Sequence, residues 1–248
     1  MIVYVNGDSH SAGAEALNLH AFAEDDGLYY GLGRKPHPEN LKVSYGCNIA
    51  NELGAILVCD AESASSNDRI FRTTWDRLQG VQNMPVDRPD LVIIGWSTWE
   101  REEWSHEGVY YQVTASGTDD VPDKLKERYK KWVIEQSDPT VINNKLIKVH
   151  ERIIDLHIAL EDKRIPHLFF NTFQSLHNIR NLMHLGAEPV DWNGCYIGPY
   201  DEDLSYYNWL KGQGFETATP ESYHFRADAH RAWAEFLIQN YVQKVLTS

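Results

Sequence analysis

Short apolar runs alternate along the chain with stretches in which apolar residues return every three or four positions. The first run, residues 1–5 (MIVYV), is apolar and β-branched and stops at Asn6 and Gly7, the composition of a buried strand entering a turn. A helix can start within residues 11–16, and residues 17–39, broken by Gly27, Gly31, Gly33, Pro36 and Pro38, read as a long loop. Val43, Cys47, Ala50 and Leu53 recur at helical spacing with Gly54 as a stop, and residues 56–58 form the next compact apolar strand. A helix carrying Ile70, Trp75 and Leu78 opens at Asn67, and residues 91–97 (LVIIGWS) are an uninterrupted apolar strand.

The second half continues the alternation. Residues 123–135 are a polar amphipathic helix candidate, and Ile142, Leu146, Val149, Ile153, Leu156 and Leu160 then step in a 4-3-4-3-4 rhythm that predicts a long core-facing helix. Pro166 ends it, and residues 167–173 (HLFFNTF) predict a further buried strand. Residues 174–202 carry no usable period, 204–210 suggest a short helix, and 227–245 predict the last one. Strand and helix alternating in this way predict one three-layer α/β domain over residues 1–248, with a mainly parallel sheet in a flavodoxin-like strand order. The exception is residues 98–122, rich in Trp, Tyr and Glu without either period. They predict an aromatic insertion overhanging whatever lies at the end of the strand before it.

Composition narrows the function classes. The 248 residues suffice for one well-buried core, and a formal net charge of −13 argues against nucleic acid as a partner, since phosphate contacts need a concentrated basic surface. Cys47, Cys59 and Cys195 show no C-x-x-C spacing, so neither a disulfide framework nor a zinc knuckle is indicated. The chain opens directly into its first strand, without a basic leader or a long apolar stretch, so a cytoplasmic protein with no membrane partner is expected. No cofactor and no metal are expected either. The GLGRK at 31–35 lacks the spacing of a phosphate-cradling loop, and His150 and His157 lie two turns apart on one helix, too far to share an ion. The composition says nothing about oligomeric state.

The candidate chemistry sits at the two ends. Gly7-Asp8-Ser9 follows the first strand, where a serine would stand at the carboxyl edge of a parallel sheet, and Glu221 precedes His224 by three residues just before the last helix. A serine nucleophile needs a base, and that base needs an orienting carboxylate. On these residues the chain resembles the SGNH (GDSL-type) hydrolases, whose first block is G-D-S and whose last is D-x-x-H; the six-residue step from His224 to His230, followed by HRAWAEFL, matches the continuation of that last block.

The resemblance implies the SGNH hydrolase fold and a serine esterase or acyl hydrolase. Ser9 would be the nucleophile, His224 the base and Glu221 the acid, with Asp228 a disfavoured substitute for the acid. The oxyanion would be bound by the N–H groups of Ser9 and Ala64, with Ser97 as a third donor. Ala64 stands where the family has a glycine, and Ser97 where it has an asparagine. Trp96, Trp99, Trp104 and Tyr110, in or beside the aromatic insertion, are the expected substrate contacts, suited to a small acyl or acetyl ester, including one carried on a sugar. Two rivals remain at this stage. One is a non-catalytic SGNH-like protein that binds a glycan or a partner through an altered oxyanion hole, and the other is a glycosidase using Glu100 and Glu103 as paired acids.

Overall fold

The computed structural model describes residues 1–80, 88–115, 117, 121–182 and 190–247. Its strands are β1 (Ile2–Asn6), β2 (Ile56–Cys59), β3 (Leu91–Trp96), β4 (Glu102–His106), β5 (Val109–Val113), β6 (His167–Asn171) and β7 (Tyr196–Ile197). Five of them form one parallel sheet in the order β2-β1-β3-β6-β7. That is the flavodoxin-like order once the β4–β5 hairpin is set aside.

Helices α1 (Ser9–Ala12), α2 (Pro38–Leu41), α3 (Tyr45–Glu52) and α4 (Asn67–Gln79) belong to the first half of the chain. They are followed by α5 (Lys126–Glu135), α6 (Pro139–Asp162), α7 (Ile179–Leu182), α8 (Tyr206–Gly212), α9 (Ala227–Leu237) and α10 (Gln243–Thr247). Strand alternation sorts the core into two layers. Val3, Val5, Ile93, Leu168 and Phe170 face α3, α8 and α9, while Tyr4, Val92, Ile94, Trp96 and Phe169 face α4 and α6. The result is the expected three-layer α/β sandwich. Among the described residues no helix is long and apolar enough to cross a membrane.

Strand register gathers the chain turns that matter at one edge. Asn6 pairs with Ile94 and Trp96 with Asn171, so the segments after β1, β3 and β6 leave the sheet side by side. Their approach is tight enough to demand glycine. A Cβ on Gly7 would lie 2.1 Å from Ser11 Oγ, and one on Gly95 2.6 Å from the same atom.

Three elements differ from the sequence reading. Residues 98–122 are not aperiodic: they hold the β4–β5 hairpin, with Trp104 opposite Tyr111 and a two-residue turn at Glu107 and Gly108, both with positive φ (51° and 80°). Such a turn matches the twist of a hairpin. Trp104, Val113, Tyr129 and Trp132 close a separate small core between this hairpin and α5. The last helix does not run unbroken over 227–245 but passes through a π turn at Ile238–Val242 before α10. In the stretch 174–202, the chain contributes α7 and the short edge strand β7.

Candidate active site

Ser9 opens α1 directly after β1. Asp8 caps that helix, its Oδ1 accepting from His10 N–H at 3.0 Å while its Oδ2 accepts from the Thr172 hydroxyl at 2.9 Å, which ties the turn after β1 to the end of β6. Asp8 is fully buried. Burial alone would raise its carboxyl, but His10, Arg101 and Thr172 outweigh that and hold it below the usual range.

His224 comes from a loop closed by the Thr217–Phe225 bridge and the Ala218 N–H to His224 C=O bond of 2.7 Å. A backbone bond from Ala227 N–H to Ala16 C=O, 3.2 Å, brings this loop against the segment that follows α1. Ser9 and His224 line the same cleft of about 880 Å³, and no hydrogen bond joins them directly.

The carboxylate at His224 is Glu15. Its Oε2 lies 3.0 Å from His224 Nδ1 and also accepts from Ser222 Oγ, whose own backbone partner is His224 N–H at 2.9 Å. The hydrogen bond from His224 holds the Glu15 carboxyl below its ordinary value. A carboxylate on Nδ1 fixes the proton there and leaves Nε2 as the basic nitrogen. Glu15 reaches this position from left-handed backbone, φ 62°, a conformation that non-glycine residues adopt at a cost and that concentrates at functional sites.

Glu221, the acid expected from the spacing, is at the exposed tip of the His224 loop, and among the described residues it makes no hydrogen bond or ion pair. It lies within the turn closed by Ser222 N–H to Thr219 C=O, 3.1 Å. Asp228 is likewise exposed, on the first turn of α9. No sequence signal marked Glu15, which is six residues from Ser9 and has no fixed spacing to His224.

The expected oxyanion positions divide. Ala64 lines the cleft at the third position of a turn closed by Ser65 N–H to Glu62 C=O, 3.1 Å, with φ 62°. A glycine would adopt this conformation without strain. The N–H groups of Ser9 and Ala64 have no protein acceptor among the described residues. Ser97, by contrast, does not line the cleft. Asn67 clamps its backbone through bonds of 2.8 and 2.9 Å, and its hydroxyl accepts from Arg101 Nη1 at 2.9 Å. Arg101, not Ser97, borders the cleft, and nothing in the sequence of the insertion marks it.

Of the four expected aromatic contacts, Trp99 lines the cleft, where Phe22, Phe173 and Tyr223 join it. Trp96 does not: strand alternation turns it into the α4–α6 layer, 5.5 Å from the Phe169 ring. Trp104 packs edge-on to Trp132 in the hairpin core with its Nε1 donating to Glu102, and Tyr110 lies outside with the Arg72 guanidinium 3.9 Å from its ring centre. The insertion borders the cleft through Thr98, Glu100 and Arg101, and again through Thr114 and Ala115. Glu103 is held by two 2.7 Å bonds from Arg72, a structural ion pair rather than half of an acid pair.

Among the described residues two histidine groups have metal-like proximity, His20 with Asp26 and His37, and His157 with Glu161 and His167. One histidine of each group has both ring nitrogens engaged in hydrogen bonds. His37 Nδ1 accepts from Glu39 N–H at 3.2 Å, so its proton is on Nε2, directed at Asp26. His167 donates from Nδ1 to the Ile165 carbonyl at 2.9 Å, so its Nε2 is the acceptor for His157 Nδ1 at 2.8 Å.

A parallel three-layer sandwich with a serine, a carboxylate-bound histidine and two free backbone N–H groups at its carboxyl edge defines the structural class. The chain belongs to a family of unknown function, DUF6071, whose profile matches residues 35–247, a span that begins after Ser9 and Glu15 and includes Arg101 and His224. No curated protein matches the sequence. Among solved structures the chain is similar to an acetyl xylan esterase (Est2A) from the rumen bacterium Butyrivibrio proteoclasticus, at 13% identity and a TM-score of 0.45 over 98% of this chain and 64% of that one. It is also similar to a putative lipolytic protein of the G-D-S-L family from Desulfitobacterium hafniense, at 12% identity and 0.41, covering 96% and 98%. A third is a carbohydrate esterase family 2 enzyme with a carbohydrate-binding domain from Corynascus thermopiles (Myceliophthora fergusii), at 17% identity and 0.42, covering 100% and 67%. The chain thus spans about two thirds of the length of the two carbohydrate esterases.

Proposed function

We propose that this protein is a divergent SGNH serine esterase, hydrolysing a small acyl or acetyl ester through Ser9, His224 and Glu15. The observation that carries the reading is His224 Nδ1 held on Glu15 at 3.0 Å while the histidine borders the same cleft as Ser9. With Nδ1–H donated to the carboxylate, Nε2 takes the proton of Ser9 as its Oγ attacks the ester carbonyl carbon. The tetrahedral oxyanion that forms is met by the N–H groups of Ser9 and Ala64. Collapse breaks the bond to the leaving alkoxide, which takes the proton back from His224. Water, deprotonated by the same nitrogen, then releases the acid from Ser9. Ser9 and His224 close to hydrogen-bonding distance in the complex with substrate, as apo sites commonly do.

Phe22, Trp99, Phe173 and Tyr223 offer flat apolar surface to the alcohol side, which suits a sugar ring or a short apolar group. The test is turnover of a panel of short-chain aryl esters and acetylated sugars by wild type and Ser9→Ala, with mass-spectrometric mapping of a fluorophosphonate adduct. Turnover abolished by Ser9→Ala, with the adduct on Ser9, is expected. Labelling elsewhere, or activity that survives the substitution, would remove Ser9 from the chemistry.

A further inference from the structure

We infer that Arg101 is a further donor to the oxyanion at Ser9, a guanidinium standing where the SGNH pattern has an asparagine amide; the inference rests on Ser9 being the nucleophile. The guanidinium is anchored to Ser97 and to the residues that flank Ser9 and Ala64. Its Nη1 donates to Ser97 Oγ at 2.9 Å, lies 3.5 Å from Oδ2 of Asp8, the residue before Ser9, and lies 3.5 Å from the carbonyl of Ser65, the residue after Ala64. All three contacts are made by one nitrogen. Nη2 and Nε have no protein acceptor among the described residues, and the side chain, 26% exposed, borders the cleft. Arginine carries five donors in a rigid fork and stays charged at any working pH, so the two unused nitrogens are available to an oxyanion.

Ser97 therefore acts at one remove. Its hydroxyl is an acceptor that positions the guanidinium, and its backbone is pinned by Asn67. The buried Asp8 carboxylate balances the charge of Arg101, which keeps a cation in the cleft without a bulk counter-ion. A charged donor differs from an amide in one observable way. It binds the negative charge of the tetrahedral intermediate, and it also attracts the carboxylate product in the ground state.

Two measurements test this, one of them independent of turnover. Acetate binding is followed by NMR titration for wild type, Ser9→Ala, Arg101→Lys, Arg101→Gln and Arg101→Met, with the melting temperature of each recorded. Wild type and Ser9→Ala should bind acetate at the cleft, Arg101→Lys should retain part of the affinity, and Arg101→Gln and Arg101→Met should lose about tenfold or more. In steady-state assays Arg101→Met should lower kcat by ~10²–10³-fold with a smaller change in KM, the usual loss for one oxyanion donor. Arg101→Lys should recover part of that loss. A merely structural ion pair with Asp8 would lower the melting temperature without separating the charged from the neutral variants in acetate affinity. Folded Arg101→Gln binding acetate as wild type does, or wild type binding none, overturns the inference. Arg101-dependent acetate binding in a protein that hydrolyses no ester would instead leave the anion site standing and remove the esterase reading.

Discussion

Two groups of close imidazoles lie at opposite edges of the same parallel sheet. At the carboxyl edge, His10 and His224 have ring centres 5.2 Å apart, with His230 buried beneath them against Tyr45 and Tyr206. At the amino edge, His167 begins β6 and shares a 2.8 Å contact with His157 of α6. Both groups contain histidines that burial holds neutral: His10 is pushed down to about 4, His230 to about 3 and His167 to about 4. What separates them is what surrounds the nitrogens. His167 spends both nitrogens on the Ile165 carbonyl and on His157, whereas His224 has one nitrogen on Glu15 and borders a cleft shared with Ser9. Proximity and burial alone make a structural pair. A carboxylate on one nitrogen, in a histidine that borders a cleft, is the arrangement the proposed base requires.

The largest effect expected from this contrast comes from removing one histidine at each edge. His224→Ala should lower kcat by ~10⁴–10⁶-fold, as loss of the base does in serine hydrolases. His157→Ala should leave kcat and KM within about twofold and act on stability alone. Measured on one activated ester, equal losses in the two variants would break the comparison. A smaller effect separates the two glutamates. Glu15→Gln should cost ~10²–10⁴-fold in kcat, because the amide no longer holds the imidazole in its productive tautomer. Glu221→Gln, at the exposed loop tip, should change kcat by less than about twofold. The reverse ranking would restore Glu221 as the acid.

The smallest effect is on stability, and it joins the two edges. In the unfolded chain these histidines take a proton near pH 6.5, whereas His10, His230 and His167 stay neutral in the folded protein to about 4, 3 and 4. Stability is therefore complete above about pH 6.5 and is lost as the pH falls, because the unfolded state binds protons that the native state refuses. Each histidine should cost on the order of 2 kcal/mol by pH 5. Glu15, whose folded value is depressed, adds its own loss only below the ordinary carboxylate range. Urea melts at pH 7.5 and 5.0 check this. His167→Asn should narrow the difference between the two pH values, and an unchanged difference would mean that His167 is not held neutral.

Much of the frame was legible in the chain. The alternation of Val3 and Val5 with Tyr4, the apolar run at 91–94 and the 4-3-4-3-4 rhythm from Ile142 to Leu160 are local patterns, and burial on both faces of a parallel strand leaves little choice for them. The hairpin at 102–113 was not legible, because Glu102, Glu103 and Tyr110 look like solvated loop until the Arg72 ion pair and the Trp104–Trp132 contact supply partners from α4 and α5. Gly108 between two short aromatic runs was the available signal. The tail of the 174–202 stretch was obscure for a similar reason, since β7 is a two-residue edge strand whose pairing with β6 defines it.

The candidate site divides along the same line. The turn that carries Ser9 and the loop that carries His224 are written in short contiguous motifs, Gly7-Asp8-Ser9 and the residues around 221–230, because a strand end and a helix start are local structures. The partners that complete them are not local. Glu15 reaches His224 across 209 residues from left-handed backbone, and Arg101 comes to lie beside Asp8 because β1 and β3 end in register and Ser97 turns its hydroxyl toward the guanidinium. Sequence spacing can mark a candidate nucleophile and a candidate base. Which carboxylate and which cation face them depends on where distant backbone segments pack, and only the folded chain decides that.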